Sequence, residues 1–262
     1  MTTASPTPSR FAIVTPYYRE SRAILERCLA SVRAQTVKCD HFLVADGFAQ
    51  SWIDGTEARH IRLDRPHRDY GNVARGIGAL LAAAEAYDGI GFLDADNFLD
   101  TDHVEACVAA GSAGADLVIA KRRFLRIDGG DFHLAEEPDH VDTSCWWFQP
   151  GAYHLLSFWV TIPRELTPIG DRIFSGLVDA ARLTSAAVPR ITVNYTCLWE
   201  GMYRRFDEEP PPGAKPDIDV PRVLEWLCAL EGAKRRVVAR LCAGDLVPWA
   251  ERTLAEIGAA KK

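Results

Sequence analysis

Short apolar runs alternate with stretches of helical periodicity along the first half of the chain. Phe11 to Thr15 reads as a buried strand, broken by Pro16-Tyr17-Tyr18. Ile24, Leu25, Cys28, Leu29 and Val32 then recur on one helical face, which predicts a helix ending near Gln35. His41 to Ala45 is a second strand, closed by Asp46-Gly47, and His60 to Leu63 a third. Gly71 to Ala86 reads as a helix of small residues. Gly76 and Gly78 lower its intrinsic helicity, so they predict close packing against a neighbouring backbone or a ligand. Ile90 to Leu93 is a short apolar run and reads as a buried, central parallel strand. After it, Thr101 or Asp100 stands where a helix N-cap belongs. The alternation predicts an α/β fold, with a mostly parallel central sheet flanked by helices.

The second half is less regular. Asp116 to Ala120 and Arg190 to Cys197 read as strands, with a turn at Asp128-Gly129-Gly130-Asp131 and an acidic loop at 136–140. Val141 to Phe148 is aromatic and strand-like, Ala152 to Val160 is helical, and Asp171 opens a further helix. The breaker run from Asp207 to Pro216 predicts a linker or mobile loop, and 219–258 is helical. The expected division is a main domain over 1–206, a linker over 207–218 and a C-terminal helical segment over 219–262.

Composition narrows the function classes. The chain has 262 residues, 48% hydrophobic and 25% charged, enough for a full core. A formal charge of −6 with interspersed signs gives no basic stripe for nucleic acid. Seven cysteines without a C-x-x-C pair indicate reduced thiols and a cytoplasmic setting rather than disulfides or zinc. The polar N-terminus is no signal peptide, and no apolar run is long enough to span a bilayer. A basic face at Lys234-Arg235-Arg236 and Arg240 leaves room for peripheral contact with the inner membrane face or for a homodimer contact.

Candidate chemistry gathers at strand ends. Asp94 and Asp96 lie where the central strand leaves the sheet, the usual ligand edge of an open α/β sheet. Carboxylates at i and i+2 can converge on one ion, and hard oxygen ligands favour Mg²⁺ or Mn²⁺. Asp46, at the tip of the second strand, can accept from a ring N–H of a ligand or simply serve turn chemistry. Arg75 is placed to reach a phosphate or the Asp94 loop. Trp146 and Trp147 are core residues or a sugar platform. Asp171 is a helix-start acid or a base facing a cleft.

Four segments in order, F-A-I-V-T-P-Y-Y-R-E at 11–20, L-V-A-D-G at 43–47, D-Y-G-N-V-A-R-G-I-G at 69–78 and F-L-D-A-D-N at 92–97, resemble family 2-type glycosyltransferases of the GT-A fold. D-T-S-C-W at 142–146 and I-G-D-R at 169–172 continue the resemblance less specifically. It implies a doubly wound, Rossmann-like sheet and hexosyl transfer from a nucleotide-sugar, a UDP-sugar by preference, to a saccharide or lipid-linked acceptor. Bacterial surface polysaccharide or glycoconjugate synthesis is the implied setting. It also implies that Thr15, Pro16, Tyr17, Tyr18 and Asp46 hold the base, and that Asp94, Ala95 and Asp96 hold ribose and a diphosphate-bound Mn²⁺ or Mg²⁺. Asp171, with Asp142 as rival, would take the acceptor proton, with inversion at the sugar. Such enzymes often add a late histidine metal ligand, whereas this sequence has no histidine after His154. A sugar nucleotidyltransferase is the alternative enzyme, but it wants a Gly-rich basic loop where Pro16-Tyr17-Tyr18 stands. A non-catalytic nucleotide- or glycan-binding module is the alternative outside enzymes.

Overall fold

A computed structural model describes residues 9–134 and 141–260. The acidic stretch 136–140 and most of the N-terminal segment lie outside them. Among the described residues one sheet of eight strands runs in the order β3-β2-β1-β4-β7-β6-β8-β5. The first four strands, β1 (Phe11–Tyr17), β2 (Asp40–Ala45), β3 (Arg59–Arg62) and β4 (Gly89–Phe92), are mutually parallel. Their crossovers carry α1 (Arg22–Arg33) and α2 (Asn72–Ala84). All three strands β1, β2 and β4 are apolar on both faces because helices cover both.

Beyond β4 the pattern changes. β5 (Phe98–Leu99) pairs antiparallel with β8 (Ser185–Thr196) at the far edge. β6 (Leu117–Leu125) runs parallel to β8, with register shifts around Lys121. β7 (Trp146–Phe148) is inserted antiparallel to both β4 and β6. β6 is longer than the apolar run 116–120 predicts. It continues through Lys121-Arg122-Arg123, where alternate side chains are exposed and buried.

Glycines fix two of the closest packings. A Cβ on Gly78 would lie 2.6 Å from Val14 Cγ1 and 2.9 Å from Val44 Cγ2, so α2 rides directly on β1 and β2. A Cβ on Gly89 would meet the Trp147 ring at 2.4 Å, and one on Gly91 at 3.0 Å. The indole of Trp147 therefore lies across β4, with the space of two side chains beneath it.

The remaining helices complete the core. α3 (His103–Gly111) covers β6 and β8, while α4 (Phe158–Thr161) packs on α2. α5 (Gly170–Ala181) brings Phe174 against Trp146, Phe148 and Trp159. α6 (Glu200–Arg205) follows β8. The C-terminal segment forms α7 (Val220–Cys228), α8 (Gly232–Leu241) and α9 (Val247–Ala260). Leu224 and Leu227 on α7 are fully buried and share one hydrophobic cluster with Leu166, Phe174 and the sheet. The predicted helical segment thus exists but closes the main core rather than standing apart. Residues 207–218, expected as a linker or mobile loop, form a moored strap. Lys215 N donates to Leu198 O at 2.6 Å, Glu200 N to Lys215 O at 2.9 Å and Gly201 N to Asp217 Oδ1 at 2.9 Å. All seven cysteines are free thiols. No helix among the described residues is long and apolar enough to cross a membrane.

Candidate active site

The parallel strands deliver their C-terminal ends to one cleft of about 610 Å³. Pro16 and Tyr17 at the end of β1, which runs on through the break expected at Pro16, Tyr18 after it, Asp46 after β2, and Asp94, Ala95 and Asp96 after β4 all line it. Arg75 from α2, Asp142, and Asp171 at the start of α5 line it too. The sheet topology thus gathers residues separated by more than a hundred positions in sequence.

Asp94 and Asp96 stand on a tight turn in which Asn97 N donates to Asp94 O at 2.9 Å. Ser144 Oγ accepts from Asp94 N and from Asn97 Nδ2, both at 3.2 Å. Arg27 donates to Asp96 O at 2.6 Å. The turn is therefore fixed largely through its backbone, by Asn97, Ser144 and Arg27. Arg75, itself buried, reaches Asp94 Oδ1 at 2.5 Å and Asn72 Oδ1 at 2.9 Å. Asn72 Nδ2 then donates to Thr167 O at 3.3 Å, in the turn that precedes Asp171. One hydrogen-bonded chain so connects the Asp94 turn to the start of α5.

The carboxylates repel one another. Burial raises the pKa of Asp94, Arg75 opposes that, and the charges of Asp142 and Asp171 raise it further. Asp96 is pushed up to about 7, by burial first and the Asp94 charge second, against the pull of Lys215. No salt bridge to Asp96 occurs among the described residues. Two close, partly buried carboxylates with that electrostatic cost suit a hard divalent cation. No group of three or more His, Cys, Asp or Glu side chains is gathered to hold a metal among the described residues. The protein's donor set therefore fits a cation only when a ligand such as a diphosphate contributes further oxygens.

Asp171 lies one residue inside α5, where its Oδ1 accepts from Arg172 N at 2.8 Å. Asp142 is buried, caps the short turn Thr143–Cys145 through Ser144 N at 2.9 Å, and pairs with Arg122 at 3.0 Å. The Asp46 carboxylate accepts from His67 N at 2.9 and 3.0 Å, from His67 Nδ1 at 2.7 Å and from Arg68 N at 3.3 Å. It holds the 65–68 loop against the cleft. Gly47, at φ +80°, lets that loop pass so close that a Cβ would meet Pro66 N at 2.4 Å.

The chain belongs to glycosyl transferase family 2. The family model, described as "Glycosyl transferase family 2", matches residues 12–164, more than half of the sequence. Membership places the chain among glycosyltransferases and sets aside the nucleotidyltransferase reading. Among solved structures, S. aureus TarS is similar at 14% identity and TM-score 0.52, over 88% of this chain and 42% of the TarS chain. The chain thus spans less than half of that relative's length. TarS 1-349 in complex with UDP-GlcNAc is similar at 12% identity and TM-score 0.57, over 89% of this chain and 71% of that one. At such identity the likeness shows the shared fold. No curated protein matches in sequence.

Two expectations for this glycosyltransferase are corrected. Trp146 and Trp147 are not a sugar platform, because both are buried in the core, against Phe174 and against β4 respectively. Thr15 does not face the cleft. It is fully buried, with its hydroxyl 2.8 Å from His41 Nε2 and 3.8 Å from Cys28 Sγ. Thr15 lies two residues before the end of β1, inside the sheet, and only the strand's last residues reach the cleft. Several cleft residues escaped the sequence reading. Lys215 sat in a breaker run, and Arg122 in what looked like a gap between strands. Tyr195 stands at the C-terminal end of β8 and Trp199 just after it, which was the available signal.

Proposed function

We propose that this glycosyltransferase takes a nucleotide-sugar, specifically a UDP-sugar, and transfers its sugar with inversion to an acceptor hydroxyl. The carrying observation is the placement of the Asp94–Asp96 turn, backed by buried Arg75, and the Asp171 helix start on one cleft. The nucleotide half of the cleft is the side built from Pro16, Tyr17, Tyr18 and the loop that Asp46 holds. TarS in complex with UDP-GlcNAc shares the fold and supports a uridine donor. A divalent cation, Mn²⁺ or Mg²⁺, would be held by Asp94 and Asp96 with the donor diphosphate, and would offset the charge that builds on the leaving group.

The chain's own residues perform the rest. Asp171 takes the proton of the acceptor hydroxyl as that oxygen attacks the anomeric carbon. The bond from that carbon to the diphosphate oxygen breaks, and its electron pair leaves with the nucleoside diphosphate. Atoms and charge balance: one proton moves to Asp171, one glycosidic bond forms and one phosphoester bond is lost. Asp171 is preferred to its rival Asp142 because it opens α5 at the cleft, the place where the family resemblance puts the base. The helix N-terminus favours ionised Asp171.

The test is calorimetric titration with UDP, with and without Mn²⁺, alongside consumption of UDP-, GDP- and dTDP-sugars. UDP binding that Mn²⁺ strengthens is expected, and Asp96→Ala should abolish transfer together with the Mn²⁺ effect. An Asp96→Ala protein that is fully active in EDTA removes the metal role. Preference for a GDP- or dTDP-sugar removes the uridine assignment.

A further inference from the structure

The cleft does not stop at the carboxylates. Beyond Asp96 it continues along a second wall made of Phe124 on β6, Tyr195 on β8, Trp199, Met202 on α6 and Leu134. These side chains belong to an apolar cluster of their own, backed by Phe132, Cys197 and Tyr203. The wall is therefore supported independently of the nucleotide half.

Trp199 is the best-placed ring on it. The residue is partly exposed, whereas Phe124 is buried behind it. Trp199 Nε1 donates to the Tyr195 hydroxyl at 3.2 Å, and Tyr195 packs edge-on against Phe124 with centroids 5.6 Å apart. The backbone of Trp199 is bridged to Lys215 on the strap. Ring and backbone are thus both restrained, so little conformational freedom remains to be lost when a ligand covers the indole.

Polar groups surround this apolar face. Asp171, Arg172, Lys215 and the Arg122–Asp142 pair line the same cleft. A pyranose presents an apolar C–H face and a rim of hydroxyls that both donate and accept. An aromatic plate ringed by carboxylates and cations complements that pattern. A long hydrocarbon chain would instead require an apolar channel, and desolvating these charges along it would be costly.

We propose that the Trp199 wall is the acceptor subsite and that the acceptor is a saccharide, its terminal ring stacked on Trp199 with a hydroxyl turned toward Asp171. The proposal rests on the reading of the opposite half of the cleft as the donor site. It places the sugar platform on Trp199, at the end of β8, in place of the buried Trp146 and Trp147.

The test uses the full chain, a glycan array as the saccharide probe, and UDP calorimetry on the same preparations. Wild type is expected to bind a subset of the saccharides. Trp199→Ala should weaken that binding by about tenfold or more, the scale of a lost aromatic contact with its buried area. Trp199→Phe should retain part of it, and both variants should bind UDP as wild type does, which reports that they are folded. Undiminished saccharide binding by Trp199→Ala overturns the assignment. So does a wild-type protein that binds UDP but no saccharide, including one that transfers only to a polyprenyl phosphate. If wild type binds saccharides through Trp199 but no UDP, the donor reading falls and the saccharide site stands.

Discussion

Asp171 and Asp142 line the same cleft from different elements. Asp142 accepts a capping N–H from Ser144 through Oδ1 and pairs with Arg122 through Oδ2. Asp171 faces the cleft from the first turn of α5, where the helix end favours its ionised form. Asp171→Asn keeps the shape and loses the basicity. We expect kcat to fall roughly 10²–10⁴-fold, the usual scale for loss of a general base, with UDP affinity nearly intact. Normal turnover by Asp171→Asn together with a dead Asp142→Asn would reverse the two roles. That Asp94, Asp96, Asp46 and Asp171 line one cleft was legible in the sequence because each follows a strand end or opens a helix, while Arg75 was placed by its position on α2. What the sequence could not tell was the occupancy of each group. The sequence left Asp46 open between a ligand N–H and turn chemistry and could not show that its oxygens hold His67 and Arg68. The N-cap predicted at Thr101 or Asp100 falls instead at Asp102, because Asp100 is drawn to Arg123 and Asn194, far away in sequence. Such partners arise only when the sheet is closed.

At the scale of elements, α2 is positioned by what it lacks. Gly78 lets the helix sit on Val14 and Val44, and that seating sets how far Arg75, one turn earlier, projects under Asp94. Gly78→Ala forces a methyl group into two β-branched side chains with nowhere to move, an overpacking cost of about 1–3 kcal/mol. A lower urea midpoint with unchanged slope is the expected observation. Gly55→Ala, whose added methyl would meet nothing within 4 Å, serves as the neutral control. Equal midpoints for the two variants would mean that α2 is seated more loosely than its contacts show. The parallel strands and α2 were legible because apolar runs and helical periodicity separate cleanly there. β5 was not, being two residues long, and β7 could not be oriented, because three aromatic residues carry no sign of antiparallel pairing. The strap was read as a linker because prolines and glycine mark breaks in local structure without saying what the broken chain is tied to.

Across the whole molecule, the core holds two neutral imidazoles. Burial pushes His41 down to about 3, and His103 down to about 4 against the opposing charges of Asp100 and Asp102. In the unfolded chain both take up a proton near 6.5. Below that value the unfolded state binds more protons, so their contribution to stability is present above pH 6.5 and is lost as pH falls toward 4 and then 3. Asp96, raised to about 7, titrates with the opposite sign, so the readout is a difference between proteins. Between pH 6 and 5 the stability of wild type should fall more steeply than that of His41→Gln, by about 1.4 kcal/mol per pH unit at most. Parallel pH profiles from urea unfolding would show that His41 is charged in the native state. At this scale the α/β class was legible from the order of elements, while the merging of the C-terminal helices into the main core was not, since a helical pattern does not name its partner. The sheet has one narrow joint. Among the described residues β7 joins the parallel half to the β6–β8 half through two residue pairs on the β4 side, Ile90 with Phe148 and Gly91 with Trp147. Its fit is the indole of Trp147 lying over Gly89 and Gly91. A side chain added at either glycine would press on that indole, so a change at this single joint is felt by the strands on both of its sides.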